Sequence, residues 1–113
     1  MPYVALSVGA KISDEKKELI QKGIGELISI IPGKSNAVTM TKIEDDCSIY
    51  MGGEKANFAF CEVRLLGEAP YENKASFYQA VRKLLIELLD IKEIYLNYVV
   101  FNEWGSRDTF RQI

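Results

Sequence analysis

The chain has 113 residues, 48% of them hydrophobic and 27% charged, and this composition is typical of one globular domain spanning residues 1–113. Sixteen acidic residues exceed fourteen basic ones and no basic stripe is visible, so nucleic acid and anionic membranes are not expected as partners. The start lacks a signal-peptide pattern and no apolar run approaches the ~20 residues of a membrane span, so we expect a cytoplasmic protein.

Few residues are available for acid–base or metal chemistry. The chain has no histidine, which is the usual proton carrier near neutral pH. Cys47 and Cys61 have neither CxxC spacing nor a histidine companion, which argues against a zinc site or a dithiol redox site. We therefore expect no metal, no cofactor and two free thiols.

The first predicted strand, residues 2–8, begins with a residue that could act as a reagent. Pro2 follows the initiator methionine, and removal of Met1 would leave it as a free secondary amine. An α-amino group has a pKa of ~7.7–8.0, closer to neutrality than the pKa of Asp, Glu, Lys or Tyr. Proline is also about 5% of average composition, so its position alone is a weak signal.

A helix and a second strand are predicted next. Ser13 is a suitable N-cap, and apolar residues then recur at helical spacing up to Pro32, which predicts a helix over residues 14–31. From Asn36 the pattern alternates, which predicts a strand to about residue 43.

The second half of the chain repeats this order of elements. Residues 58–66 are predicted as a strand, Asn73 could cap a second helix, and residues 94–101 are predicted as the fourth long strand. Laying residue n over residue n+58 places Leu19 on Phe77, which indicates a tandem repeat.

Two tandem β-α-β units predict an α+β fold: a four-stranded mixed sheet with both helices on one face. The other face would be bare and of mixed character, because Thr39, Thr41, Glu62 and Arg64 lie among apolar residues, and this favours an oligomer. The tail, residues 105–113, is too short to pack alone and is predicted to add a strand to a neighbour's sheet edge.

One further cluster is Tyr95-Leu96-Asn97 in the last long strand, followed by Phe101 and Trp104. Together with Pro2, the Pro32-Gly33-Lys34 corner and the chain length, it resembles the macrophage migration inhibitory factor family of the tautomerase superfamily, over essentially the whole chain. The resemblance implies a homotrimer without Met1. It also implies that Pro2 is the general base in keto–enol tautomerisation of phenylpyruvate-like 2-keto acids.

The resemblance further implies substrate-binding residues. Lys34 would bind the substrate carboxylate and the backbone N–H of Leu66 would be a second donor, while Tyr95 and Asn97 would come from the adjacent subunit. Phe101, with Trp104, could line an aromatic pocket.

The chain departs from the family pattern at two places. Phe58-Ala59-Phe60-Cys61 stands where the family's cytokines have Cys-x-x-Cys, which argues against a thiol oxidoreductase. Arg64 stands where those members have a histidine, and it could bind a second carboxylate.

Simpler explanations remain open for each residue. Lys34 could be a solvated charge at a helix end, Tyr95 and Asn97 could be strand surface, and Arg64 could pair with Glu62. The function could also be that of a cytokine-like or other protein-binding module with a vestigial pocket, or of a muconate-type isomerase, hydratase or dehalogenase. An RNA-binding domain is disfavoured by the acidic composition.

Overall fold

A four-stranded sheet with two helices forms the body of the protein, and the computed structural model describes residues 1–113. The elements in chain order are β1 (Pro2–Val8), α1 (Asp14–Leu27), β2 (Met40–Glu44), β3 (Tyr50–Met51), β4 (Glu54–Lys55), β5 (Phe58–Leu66), α2 (Tyr71–Leu88), β6 (Glu93–Phe101), β7 (Glu103–Ser106) and β8 (Thr109–Gln112). Short 3-10 helical turns occupy Ile28–Ile30 and Asn36–Val38.

The strands are ordered β2-β1-β5-β6 across the sheet. The outer pairs, β1 with β2 and β5 with β6, are parallel, and the central pair, β1 with β5, is antiparallel. Each parallel pair and the helix between its strands form one β-α-β unit. The predicted α+β fold with a mixed sheet is therefore confirmed.

The core lies between the sheet and the helices. Alternate residues of each strand point to one face of the sheet, and in β1 these apolar side chains are buried while their neighbours are half-buried. The cluster joins strand residues (Val4, Leu6, Val8, Ala59, Cys61, Val63, Leu65, Ile94) to helix-side residues (Ile20, Ile24, Ile28, Phe77, Val81, Leu85). Neither helix is long and apolar enough to cross a membrane.

The two halves correspond at an offset one residue shorter than predicted. Phe77, buried in α2, matches buried Ile20 of α1, which is 57 positions earlier. The predicted offset of 58 is wrong, because it pairs Phe77 with Leu19, which is 46% exposed. A slip of one residue sends strand side chains to the opposite face of a sheet, so the structure distinguishes the two offsets clearly.

The second strand begins later than predicted because residues 36–38 form a 3-10 turn. Within β2, Met40 and Lys42 are exposed on the open face, whereas Ile43 packs against the core and Thr41 shares its side. The prediction that Thr41 lies on the bare face is therefore wrong, whereas Thr39 lies outside the strand and lines the cavity beside Met40.

Helix ends also differ from the prediction. The first α-helix ends at Leu27 and continues only as the 3-10 turn, and α2 begins at Tyr71 with Pro70 as its N-cap. Asn73 is therefore not a cap. Its Nδ2 donates to the carbonyl of Ile30 at 3.0 Å, which ties the first turn of α2 to the end of the first helix.

The C-terminal tail pairs with its own chain. β7 and β8 form an antiparallel hairpin whose turn is Arg107-Asp108, and the N–H of Ile113 donates to the carbonyl of Asn102 at 2.9 Å. The prediction of a single strand that needs a neighbour's edge for pairing missed this hairpin.

Candidate functional site

The main cavity lies where the start of β1 meets the segment before β2 and the C-terminal hairpin. Its volume is about 680 Å³, within the range of small-molecule sites. The lining combines apolar and charged residues: Met1, Pro2, Tyr3, Ala37, Val38, Thr39, Met40, Arg64, Phe101, Glu103, Trp104, Gly105, Ser106 and Arg107.

Pro2 is the first residue of β1 and is buried opposite Leu65 of β5. Proline cannot donate a ladder hydrogen bond, and the first position of a strand is one of the few that tolerate it. Pro2 is one of the residues that line the cavity, while its nitrogen remains in the peptide bond to Met1.

Lys34 and Leu66 meet beside Met1. Lys34 Nζ donates to the carbonyl oxygen of Leu66 at 2.8 Å, across 32 positions of sequence. The N–H of Leu66 donates to the carbonyl oxygen of Met1 at 3.4 Å, which is a long contact. The Lys34 ammonium and the Leu66 N–H, both predicted to bind substrate, thus lie beside Met1, the residue that precedes Pro2.

The amino group of Met1 reports on the electrostatics of this corner. Its pKa is lowered from the usual value of 8.0, first because partial burial disfavours the charged form and then because the Lys34 cation is near. Arg111 adds a weaker repulsion. An amine held here is therefore easier to deprotonate than one in water.

Arg64 and Phe101 lie on the open face of the sheet and reach the cavity. The Arg64 guanidinium carbon is 5.8 Å from the centroid of the Tyr3 ring, a distance typical of a cation–π contact. Phe101 meets Trp104 edge to face, with ring centroids 6.1 Å apart. The cavity wall is therefore both aromatic and cationic.

Tyr95 and Asn97 do not line this cavity. Both are exposed on the open face of β6, as is Phe101, but they lie six and four residues before it. At ~3.3 Å per residue these separations are about 20 Å and 13 Å, too far for either side chain to reach the cavity of its own chain. Tyr95 instead contacts Phe58, with ring centroids 5.8 Å apart.

Comparison with known proteins gives matches only among solved structures. No protein-family model matches the sequence, and no curated protein matches it. MIF2 of Leishmania major aligns with a TM-score of 0.90 and 21% identity, over 98% of this chain and 97% of that one. The macrophage migration inhibitory factor-like protein of Entamoeba histolytica has a TM-score of 0.83 and 22% identity, over 97% and 98% of the two chains.

The chain has the macrophage migration inhibitory factor fold. A fused 4-OT, described as an asymmetric trimer, aligns with a TM-score of 0.76 and 13% identity, over 92% of this chain and 91% of that one. The predicted resemblance is confirmed at the level of the fold, with the cavity at the N-terminal end of β1.

Several residues that line the cavity were not predicted to do so. Val38 and Met40 lie within the predicted second strand and were not singled out, and neither were Glu103 and Arg107. The hairpin brings the last two to the cavity, and its Arg107-Asp108 turn lacks the glycine or asparagine by which such turns are usually recognised. No group of three or more His, Cys, Asp or Glu residues is placed to hold a metal ion.

Proposed function

We propose that this protein is a tautomerase of 2-keto acids in which Pro2, freed by removal of Met1, is the general base. The observation that carries the proposal is the position of Pro2, buried at the start of β1, at a cavity and beside a corner that contains Lys34 and Leu66. Enolisation moves a proton between the carbon beside a carbonyl and its oxygen, and it needs a base of near-neutral pKa.

Removal of Met1 would prepare this corner for a substrate. The Leu66 N–H would lose its acceptor, the Met1 carbonyl, and would be free to donate to a substrate oxygen. Lys34 would remain beside the new amine, where burial and its positive charge both favour a neutral Pro2 nitrogen. The same lysine is a suitable partner for the substrate carboxylate.

A homotrimer would complete the site. The open face of the sheet exposes Phe60, Tyr95, Val99 and Phe101 beside charged residues, an extensive surface for a single chain to leave uncovered. We propose that three copies cover these faces mutually, so that Tyr95 and Asn97 of one subunit reach the cavity of the next. The trimeric description of the fused 4-OT supports this assembly.

The test combines the mass of the purified chain with the activity of Pro2→Gly, which keeps an amine at the terminus. Enolisation of phenylpyruvate should fall by ~10²–10⁴-fold, as expected for a lost general base. Pro70→Gly at the N-cap of α2 is the matched control and should keep its activity.

Two results would remove Pro2 from the mechanism: an unchanged kcat/KM in Pro2→Gly, or an active protein whose mass includes Met1. Absence of any keto–enol activity in a trimeric protein would favour the protein-binding alternative.

A further inference from the structure

The cavity carries more positive charge than a monocarboxylate requires. Lys34 lies beside the amine of Met1 and is available for the carboxylate next to the reacting carbonyl. Lys34 is not part of the cavity lining, but Arg64 from β5 and Arg107 from the C-terminal hairpin both line the cavity, and Glu103 is the only carboxylate in the lining. Two guanidinium groups from separate elements thus face one ligand space.

The backbone of Arg107 is strained. Its φ is 57°, in the left-handed region, and it is the first of the two residues in the β7–β8 turn. Glycine is usual at such a position, because a side chain with a Cβ destabilises that conformation. A strained residue beside a cavity is a reason to look for a role of its side chain.

The guanidinium of Arg64 is only weakly engaged. Its ion pair with Glu62 has a long N–O distance of 3.8 Å, and both side chains are nearly half exposed. Its other neighbour is the face of Tyr3, which leaves the planar N–H fork free for an anion. The remaining wall, including Val38, Phe101 and Trp104, is suited to an apolar ligand body.

We propose that the cavity binds a dianionic substrate, a 2-keto acid whose apolar body carries a second carboxylate, and that Arg107, assisted by Arg64, selects for this second group. The inference rests on the proposed function and deepens it by assigning a substrate class. Guanidinium groups bind carboxylates through two parallel hydrogen bonds, so two arginines are well suited to the distal carboxylate.

The test compares phenylpyruvate with para-carboxyphenylpyruvate, which differs only by the added carboxylate. The measured quantity is the ratio of kcat/KM for the diacid to kcat/KM for the monoacid. We expect a ratio well above one that falls about ten- to hundredfold in Arg107→Gly, as for the loss of a charged hydrogen bond. Glycine suits the turn, so this variant should fold.

Two further variants serve as controls. Arg107→Lys keeps the charge and should retain part of the preference. Lys83→Gln removes one positive charge from the exposed side of α2, away from the cavity, and should leave the ratio unchanged.

Binding is measured separately from turnover. Phenylpropionate and its para-carboxy analogue cannot enolise in the same way, and their binding can be followed by the fluorescence of Trp104, the only tryptophan, which lines the cavity. If the diacid analogue binds more tightly than the monoacid analogue and Arg107→Gly removes this difference, the substrate class is supported. This holds even if neither keto acid is turned over. Lack of turnover would overturn only the proposed function. The inference would be overturned if the ratio of kcat/KM for the diacid to kcat/KM for the monoacid were equal in wild type and Arg107→Gly, or if neither analogue bound.

Discussion

At the scale of single residues, burial decides the chemistry of Cys61. Its side chain lies in the core, and burial raises the pKa of the thiol from 9.0 to about 12, with a smaller contribution from the Glu62 charge. The folded state therefore keeps this thiol protonated. In the unfolded chain this thiol has a pKa near 9.0. The stability that the folded state gains from keeping the thiol protonated is therefore fully present below pH 9.0 and is lost as pH rises through about 12.

Cys47 is only half-buried, so the two thiols should differ in reactivity. We expect a thiol reagent at about pH 8 to label the native protein once, at Cys47, because only an accessible thiolate reacts. Cys61 should react after unfolding in denaturant. Cys47→Ser is the control and should give no native labelling; rapid modification of Cys61 in the folded protein would contradict the burial argument.

At the scale of elements, one ion pair joins α2 to β6. Arg82 Nε lies 2.9 Å from Glu93 Oε1 and Arg82 Nη2 lies 3.0 Å from Oε2, a two-bond arrangement at the protein surface. The hydrogen bonds from Arg82, followed by that from the Ile94 N–H, lower the pKa of Glu93 from 4.5. Stability from this pair is therefore present above pH 4.5 and is lost as pH falls through the lowered pKa.

We expect Glu93→Gln to lower the denaturant midpoint at neutral pH. In acid the midpoint of the variant should approach that of the wild type, because Glu93 is then protonated in both the folded and the unfolded protein. The contribution should also shrink at high salt, since the pair is solvent-exposed. Glu87→Gln, on the exposed side of α2 and without an ion-pair partner, is the matched control. A loss of stability that is equal at both pH values would show that Glu93 acts through packing.

The sequence predicts the long elements well and the cavity only in part. Strands 2–8 and 58–66 match the structure because alternate residues are buried along both of them, up to the end of the first strand and up to the Leu65-Leu66 pair, both buried, at the end of the second. The β7–β8 hairpin was missed because its turn has no glycine signal, and with it Arg107 was missed. Pro2, Arg64 and Phe101 come from separate strands, and only sheet register brings them to one cavity.

At the scale of the whole molecule, a shared site would make activity a property of the assembly. Pro2→Gly and Asn97→Ala should each be inactive alone, because in the proposed mechanism the first lacks the base and the second lacks a group that reaches the neighbouring subunit's cavity. Unfolding both variants together and refolding them should form mixed trimers in which some intact Pro2 cavities adjoin intact Asn97 residues. Activity should return at a fraction set by the mixing ratio.

Light scattering supplies the control for this mixing experiment. A monodisperse monomer at micromolar concentration would rule out the trimer, and verified mixed trimers without recovery would place the site within one chain.

The contact between Met1 and Leu66 limits when Met1 can be removed during synthesis. β1 is synthesised before β5, its partner at the centre of the sheet, which follows more than fifty residues later, since Val8 pairs with Ala59 and Pro2 with Leu65. At ~5–20 residues per second, the N-terminus stays without this cover for several seconds. Met1 is half-buried once the sheet has formed, so the removal of Met1 that we propose should be fastest on the nascent chain. Timed mass spectrometry should show slower removal of Met1 from the refolded protein than from the unfolded chain, and equal rates would contradict this order of events.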